Sequence, residues 1–186
     1  MIQTKSGKYA LLLCTFMLIV RVLQRFIGNR RTRLAVNRII LVGCCAAALW
    51  FSLLSRQVQA ERCVFLHPFQ SYAAAWQSFE TNLAAANGNG TVTAAEGVRS
   101  FLYGFNWIIL NVFLLLPYGF MLPHAFPERH KGRLILSGIA LSVLIELAQY
   151  LFRLGCLDVD DVISNAFGVC LGFLLAEKIM QWRKRG

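Results

Sequence analysis

Leu134–Asn165 reads LILSGIALSVLIELAQYLFRLGCLDVDDVISN. The run Leu134–Phe152 is mostly apolar and long enough to cross a hydrocarbon core, which takes about 20 residues of helix for roughly 30 Å. Its polar side chains are ordered: Ser142, Glu146, Gln149 and Arg153 follow at intervals of four, three and four, the spacing of one helical face. After a short turn, Asp161, Asn165, Gly168 and Gly172 repeat that spacing on the next apolar run. Two antiparallel membrane helices with facing polar stripes follow, and the Gly168/Gly172 pair is expected to let them approach closely.

Working outward, the same length criterion finds five spans: Tyr9 to Ile27, Ile39 to Leu54, Phe101 to Leu122, Leu134 to Phe152 and Val162 to Gln181. The first is apolar except for Arg21, Gln24 and Arg25 near its end and is the weaker of the first two. Lys5 and Lys8 ahead of it resemble the start of a signal peptide, but no small-residue cleavage site follows before the Arg-rich stretch. The fold class is therefore all-α, a polytopic membrane bundle of about five helices.

Composition agrees. The 186 residues are 57% hydrophobic and 15% charged, with a mean hydropathy of +0.55, whereas soluble domains carry roughly a quarter charged residues. The net charge of +10 raises nucleic-acid binding as a question, and the distribution of the charge answers it. Arg30, Arg31, Arg33 and Arg38 lie between spans one and two, Arg129, Lys131 and Arg133 between three and four, and Arg183, Lys184 and Arg185 after five. All fall on one side, as the retention of basic loops in the cytoplasm requires. On the other side lie Lys5 and Lys8, a long segment whose Arg56, Arg62 and Arg99 are offset by Glu61, Glu80 and Glu96, and an acidic turn at Asp158, Asp160 and Asp161. The reading places the amino terminus outside and the carboxyl terminus in the cytoplasm, with anionic lipid headgroups rather than nucleic acid as the partner of the basic loops.

The long segment from Arg56 to Arg99 carries Phe69, Tyr72, Trp76, Phe79 and Leu83 at helical spacing. It is expected to form an interfacial helix in the outer headgroup plane. Asn87-Gly88-Asn89-Gly90 breaks it, and Thr93-Ala94-Ala95-Glu96 has capping-box spacing for the next helix. Cys14, Cys44, Cys45 and Cys170 fall in spans as small apolar residues. Cys63 and Cys156 both fall outside the spans on the same side and are available to pair as a disulfide. No metal-ligand spacing occurs and no cofactor is expected. His67, His124 and His130 have no evident nucleophile or ligand partner.

Glu146 sits well inside the hydrocarbon, where a charge costs about 2.5 to 3.5 kcal/mol on insertion scales. It is therefore expected to face the interior. From the helical rise of about 1.5 Å per residue, Glu146, Asn165 and Asn111 reach similar depth, and Pro117 frees the carbonyl of Phe113 and kinks span three. The result is an outer polar cavity walled by Asn111, Glu146, Gln149, Arg153, Asp158, Asp161 and Asn165, the candidate ligand-binding residues. The plainer alternative is structural: Arg153 pairs with Asp158 or Asp161, and Glu146 hydrogen-bonds within the bundle.

The order Asn111, Pro117, Gly119-Phe120, Ser142, Ile145-Glu146, Gln149, Arg153, Asp158, Asp160-Asp161, Asn165, Gly168 and Gly172 resembles the VanZ-like family of small bacterial membrane proteins. The resemblance covers about Ile39 to Ile179, with Pro68-Phe69 similar to a family element. Residues 1–38 look like an added span and Arg-rich loop ahead of a 39–186 membrane domain. It implies a cell-envelope role, either resistance to the glycopeptide teicoplanin or envelope maintenance, and brings no settled mechanism.

Three functions compete. The first is a non-enzymatic protein binding an amphiphilic or phosphate-bearing ligand, such as a lipid-linked cell-wall intermediate or a lipoglycopeptide. The second is an enzyme on a lipid phosphate, with Glu146 or Asp161 as base and Arg153 steadying the phosphoryl charge. The third is a proton-linked transporter using Glu146, for which so few spans would call for a homo-oligomer.

Overall fold

The computed structural model of the chain describes residues 15–20, 22–87 and 94–185. Helical turns at 15–20 and 22–26 precede α1 (Arg30–Leu49), which continues into a π-helical turn at Trp50–Leu54. An extended strap follows and contains β1 (Val64–Phe65); then come α2 (Gln70–Asn87), α3 (Ala94–Ala125), α4 (Lys131–Leu151), β2 (Leu157–Asp158) and α5 (Val159–Arg185). The chain is an all-α membrane bundle whose one strand pairing, among the described residues, is a two-residue parallel match of Val64 with Leu157 and Phe65 with Asp158.

Arg30–Leu54, Ile108–Ala125, Lys131–Leu151 and Val159–Trp182 are each long and apolar enough to cross a membrane. They coincide with expected spans two to five. Residues 9–14 and Arg21 of the expected first span, with Cys14, lie outside the described residues, as do the Gly88–Gly90 break and Thr93 of the expected capping box. Side chains such as Ile39, Val42, Leu136, Leu144, Phe167 and Leu174 are exposed on these helices. That much exposed apolar surface belongs to lipid contact rather than to water.

The closest helix pair is α3 with α5. A Cβ at Gly168 would overlap the carbonyl oxygen of Val112, one at Gly172 that of Leu116, and one at Gly119 that of Val169. The Gly168/Gly172 pair therefore serves the α3–α5 contact, not the α4–α5 contact expected from sequence. On α4 it is Gly138 that admits the neighbour, since its Cβ would lie 2.6 Å from Val169 Cγ1. Without a hydrophobic drive between helices in lipid, such backbone approach and the packing of Leu115, Phe120, Met121 and Phe173 hold the bundle. α3 stays helical through Pro117 and Pro123.

The two ends of the bundle differ. At the basic end Asn29 Oδ1 accepts from Arg31 N (2.9 Å) to start α1, Asn37 Nδ2 donates to the His124 carbonyl (3.0 Å), and Lys131 pairs with Glu177 at 2.7 Å. Glu177 is thus a second in-span acid, neutralised near the helix end.

At the opposite end Cys63 and Cys156 form a disulfide, 93 residues apart in sequence. Leu157 N donates to Cys63 O (3.0 Å) and Gln59 N to Arg153 O (2.7 Å), so the strap is stitched to the α4–α5 turn. α2 packs against α3, with Ala75 buried at its contact face and Tyr72 and Phe79 half-buried. Phe69 and Trp76 are exposed, so the aromatic stripe divides between bundle and surroundings; the Leu83 side chain lies outside the described residues. Closing a loop of this length restricts the unfolded chain, and Cys63→Ser should cost roughly 2–4 kcal/mol. Thermal unfolding checks this: reducing the wild type and substituting Cys63 should lower the midpoint by the same amount, and maleimide should label Cys63 of the wild type only after reduction.

Candidate functional site

The site grows from the end of α4. Ser142, Ile145, Glu146 and Gln149 are buried along one face, as their spacing predicts. The helix closes when Arg153 takes φ 57° and Leu154 N donates to Gln149 O at 2.8 Å, the closing bond of a left-handed C-terminal cap. Arg153 therefore occupies a position that favours glycine, and its side chain is exposed. Among the described residues it makes no ion pair with Asp158 or Asp161. Its share in the site is its backbone. Arg153→Gly should change stability by less than about 1 kcal/mol, relief at the left-handed position offsetting the flexibility of glycine; a melting curve measures it.

The start of α5 carries the acids. Asp158 caps the helix, its Oδ1 accepting from Asp160 N at 2.8 Å. Burial pushes its carboxyl above the usual range, while the bonds from Asp160 N–H and the Ser71 hydroxyl pull it back. Asp160, 1% exposed, accepts from Phe69 N at 2.5 Å and Ser71 N at 2.7 Å. Phe69 has φ 65°, which turns the chain so that both amides converge on one carboxylate. Asp160 is thereby a cap for α2 supplied from another helix, and Tyr72, hydrogen-bonded to Ser164 at 2.8 Å, fixes the next turn.

Glu146 Oε2 accepts from Asp158 N at 3.3 Å, and Asn111 Nδ2 donates to Asp161 Oδ1, joining α4 to β2 and α3 to α5. Asn165 and Ser142 are buried on α5 and α4, with Asn165 Oδ1 and Ser142 Oγ unpaired among the described residues. Asn111, Glu146, Gln149, Asp158, Asp161 and Asn165 therefore belong to the polar core between α3, α4 and α5.

The cation of this core is Arg56, which the sequence reading counted only as a topological charge. The π-helical turn, closed by Ser55 N donating to Trp50 O at 3.0 Å, ends α1 beneath it and presents the Ser52 carbonyl to Gln149 Nε2 at 3.1 Å. A Cβ at Gly155 would lie 2.7 Å from Arg56 Nη1 and 3.2 Å from Gln149 Oε1. Gly155 thus leaves the space in which the guanidinium sits, from where its charge acts on Glu146 and Asp161. A signal for Arg56 was present: an arginine directly at a span end, on the side away from the basic loops.

A cavity of about 1090 Å³ opens between α1 and α3. Arg56, Ser52, Ser55, Gln57, Gln59 and Asn111 line it towards the strap, and Ile40, Cys44, Ala47, Phe113, Leu114 and Pro117 line the remainder. Of the candidate residues from sequence, Asn111 alone lies on its wall. Among the described residues no group of three or more His, Cys, Asp or Glu side chains is placed to hold a metal ion.

Comparison with known proteins supplies a context. The family model VanZ/LLP1 matches residues 38–181. A curated relative, Protein VanZ of Enterococcus faecium, is 34% identical over 71 residues, covering 38% of this chain and 44% of that protein. The chain thus aligns with less than half the length of that relative. No solved structure matches.

Proposed function

Since the chain belongs to the VanZ/LLP1 family, we propose that it is a multi-pass protein of the bacterial cytoplasmic membrane whose outward-facing cavity binds an amphiphilic or phosphate-bearing ligand. Through that ligand it contributes to envelope maintenance or to glycopeptide resistance, teicoplanin being the antibiotic the family resemblance suggests. A lipid-linked cell-wall intermediate or a lipoglycopeptide has the required form.

The observation that carries this reading is the cavity's two-part lining, with polar groups at the strap end and hydrocarbon below. A site of about 300–1,000 Å³ suits a drug-sized ligand, and this one, at about 1090 Å³, slightly exceeds that range. The Cys63–Cys156 disulfide supports placing the strap end outside, since such bonds persist in oxidising compartments. The basic ends of the helices then face the cytoplasm, and the carboxyl terminus with them. A fluorescent protein fused after Gly186 should fold and fluoresce, and alkaline phosphatase at the same point should be inactive; the reverse pair would invert the topology.

Binding is tested by thermal unfolding of the purified protein with isoprenoid phosphates, phospholipids and teicoplanin. A ligand of the native state adds about 2.7 kcal/mol at a concentration one hundred times its Kd. At least one class should raise the midpoint, and a flat response to all three would refute the binding role.

A further inference from the structure

We infer that the α1–α3 cavity is a lipid-phosphate slot, with Arg56 and Ser52 receiving an anionic phosphate head and the helix walls below them a single hydrocarbon chain. This rests on the amphiphile-binding reading above and names its ligand class and its anchoring residues.

Charge decides the head. Of the described side chains on the cavity wall, Arg56 alone carries a formal charge. It is half-buried and has no ion-pair partner among the described residues, although the acids behind it are close enough for their charges to interact with its own. A planar guanidinium with donors to spare fits the oxygens of a phosphate, and a cationic head would be repelled.

Ser52 gives an independent observation. It lies four residues before Arg56, on the same side of the turn, is 2% exposed and lines the cavity. Its hydroxyl has no hydrogen-bond partner among the described residues. A buried hydroxyl without a partner costs about 1–3 kcal/mol, and a head oxygen beside Arg56 would satisfy it. Asn111 is held from behind by Asp161, which leaves one amide hydrogen for the same head.

Geometry decides the tail. Arg56 and Ile40 both line the cavity; Ile40 to Leu49 on α1 spans about 14 Å at the helical rise, and the π-helical turn carries the wall on to Arg56. The wall between them on α1 includes Cys44, Ala47 and Ala48, small residues that leave room for a chain against Phe113 and Pro117. The bilayer half on this side is about 15 Å deep, so a membrane-length tail is accommodated. Phe16, from the helical turns ahead of α1 and outside the family match, also lines the cavity.

The test measures thermal midpoints in a bulky steroid-glycoside detergent with hexadecyl phosphate, hexadecanol, hexadecyltrimethylammonium and inorganic phosphate. Wild type should respond to hexadecyl phosphate and not to the other three at equal concentration. Arg56→Gln should weaken the apparent affinity about ten- to one-hundred-fold, the value of a charge-assisted bond, and Arg56→Lys should retain most of it. Gly43→Leu, at a glycine of α1 that lines the cavity and whose Cβ meets no atom within 4 Å, should remain folded, block the slot and abolish the response. An equal response to hexadecanol or to inorganic phosphate would overturn the assignment, as would full binding by Arg56→Gln or by Gly43→Leu. If Arg56→Gln does not fold, Arg56→Lys decides the head and Gly43→Leu the tail. A shift with teicoplanin or phospholipid but not with hexadecyl phosphate overturns the slot while the broader reading stands; no shift with any of them ends both.

Discussion

Gly168→Leu should leave no folded, monodisperse protein. At Gly168 even the first carbon of a side chain overlaps the backbone carbonyl of Val112, and Gly172 is in the same position against Leu116 one turn on. Overpacking costs about 1–3 kcal/mol where side chains can move aside; here the obstacle is main chain, so α3 and α5 must separate. Their separation breaks the contact that lipid cannot replace, because helices in a membrane are held by close packing. The cost should therefore exceed that range and approach the whole stability of a domain, about 5–15 kcal/mol. Size-exclusion profiles in detergent measure it. Gly43→Leu, a glycine of α1 with open space beside it, serves as control and should elute as wild type.

Asp160→Ala should be the most damaging single change among the polar residues. Its carboxylate is the acceptor for two backbone amides, Phe69 N and Ser71 N. Bonds to charged groups contribute about 1.5–3 kcal/mol each, and the orphaned donors add a desolvation cost. A loss of about 3 kcal/mol or more is expected. Asp160→Asn, whose side chain still offers one oxygen, should fall between. Since the disulfide restrains the same strap, reducing it in Asp160→Ala should lower the midpoint by more than the two separate effects combined, the mark of coupled restraints. Proteolysis between Phe65 and Gln70 reports the released strap; simple additivity would show that the two restraints act independently.

Much of this was legible in the sequence because the bilayer imposes strong constraints. Length and apolarity located four spans, and spacing put Ser142, Glu146 and Gln149 on a buried face. The pairing of Cys63 with Cys156 followed from topology as an available contact. What stayed hidden depends on rotation about helix axes and on backbone turns. A small-residue stripe does not reveal which neighbour it meets, so Gly168 and Gly172 were given to α4 although they face α3. Arg153 extends the spacing of the polar stripe, but the helix ends just before it, and a left-handed turn carries its side chain outward. Arg56 arrives from a strap whose path no periodicity encodes, and Asp160 caps a helix ninety residues away in the chain.

These corrections divide the polar residues by role. Glu146, Gln149, Asp160 and Asp161 tie α3, α4, α5 and the strap together, and Arg56, Ser52 and Asn111 face the cavity beside this framework. Native mass spectrometry of the protein with added hexadecyl phosphate, wild type beside Gly43→Leu, tests that division most directly. One bound lipid phosphate per wild-type chain and none on Gly43→Leu is the predicted result; equal loading of both, or an empty wild type at saturating ligand, would contradict it.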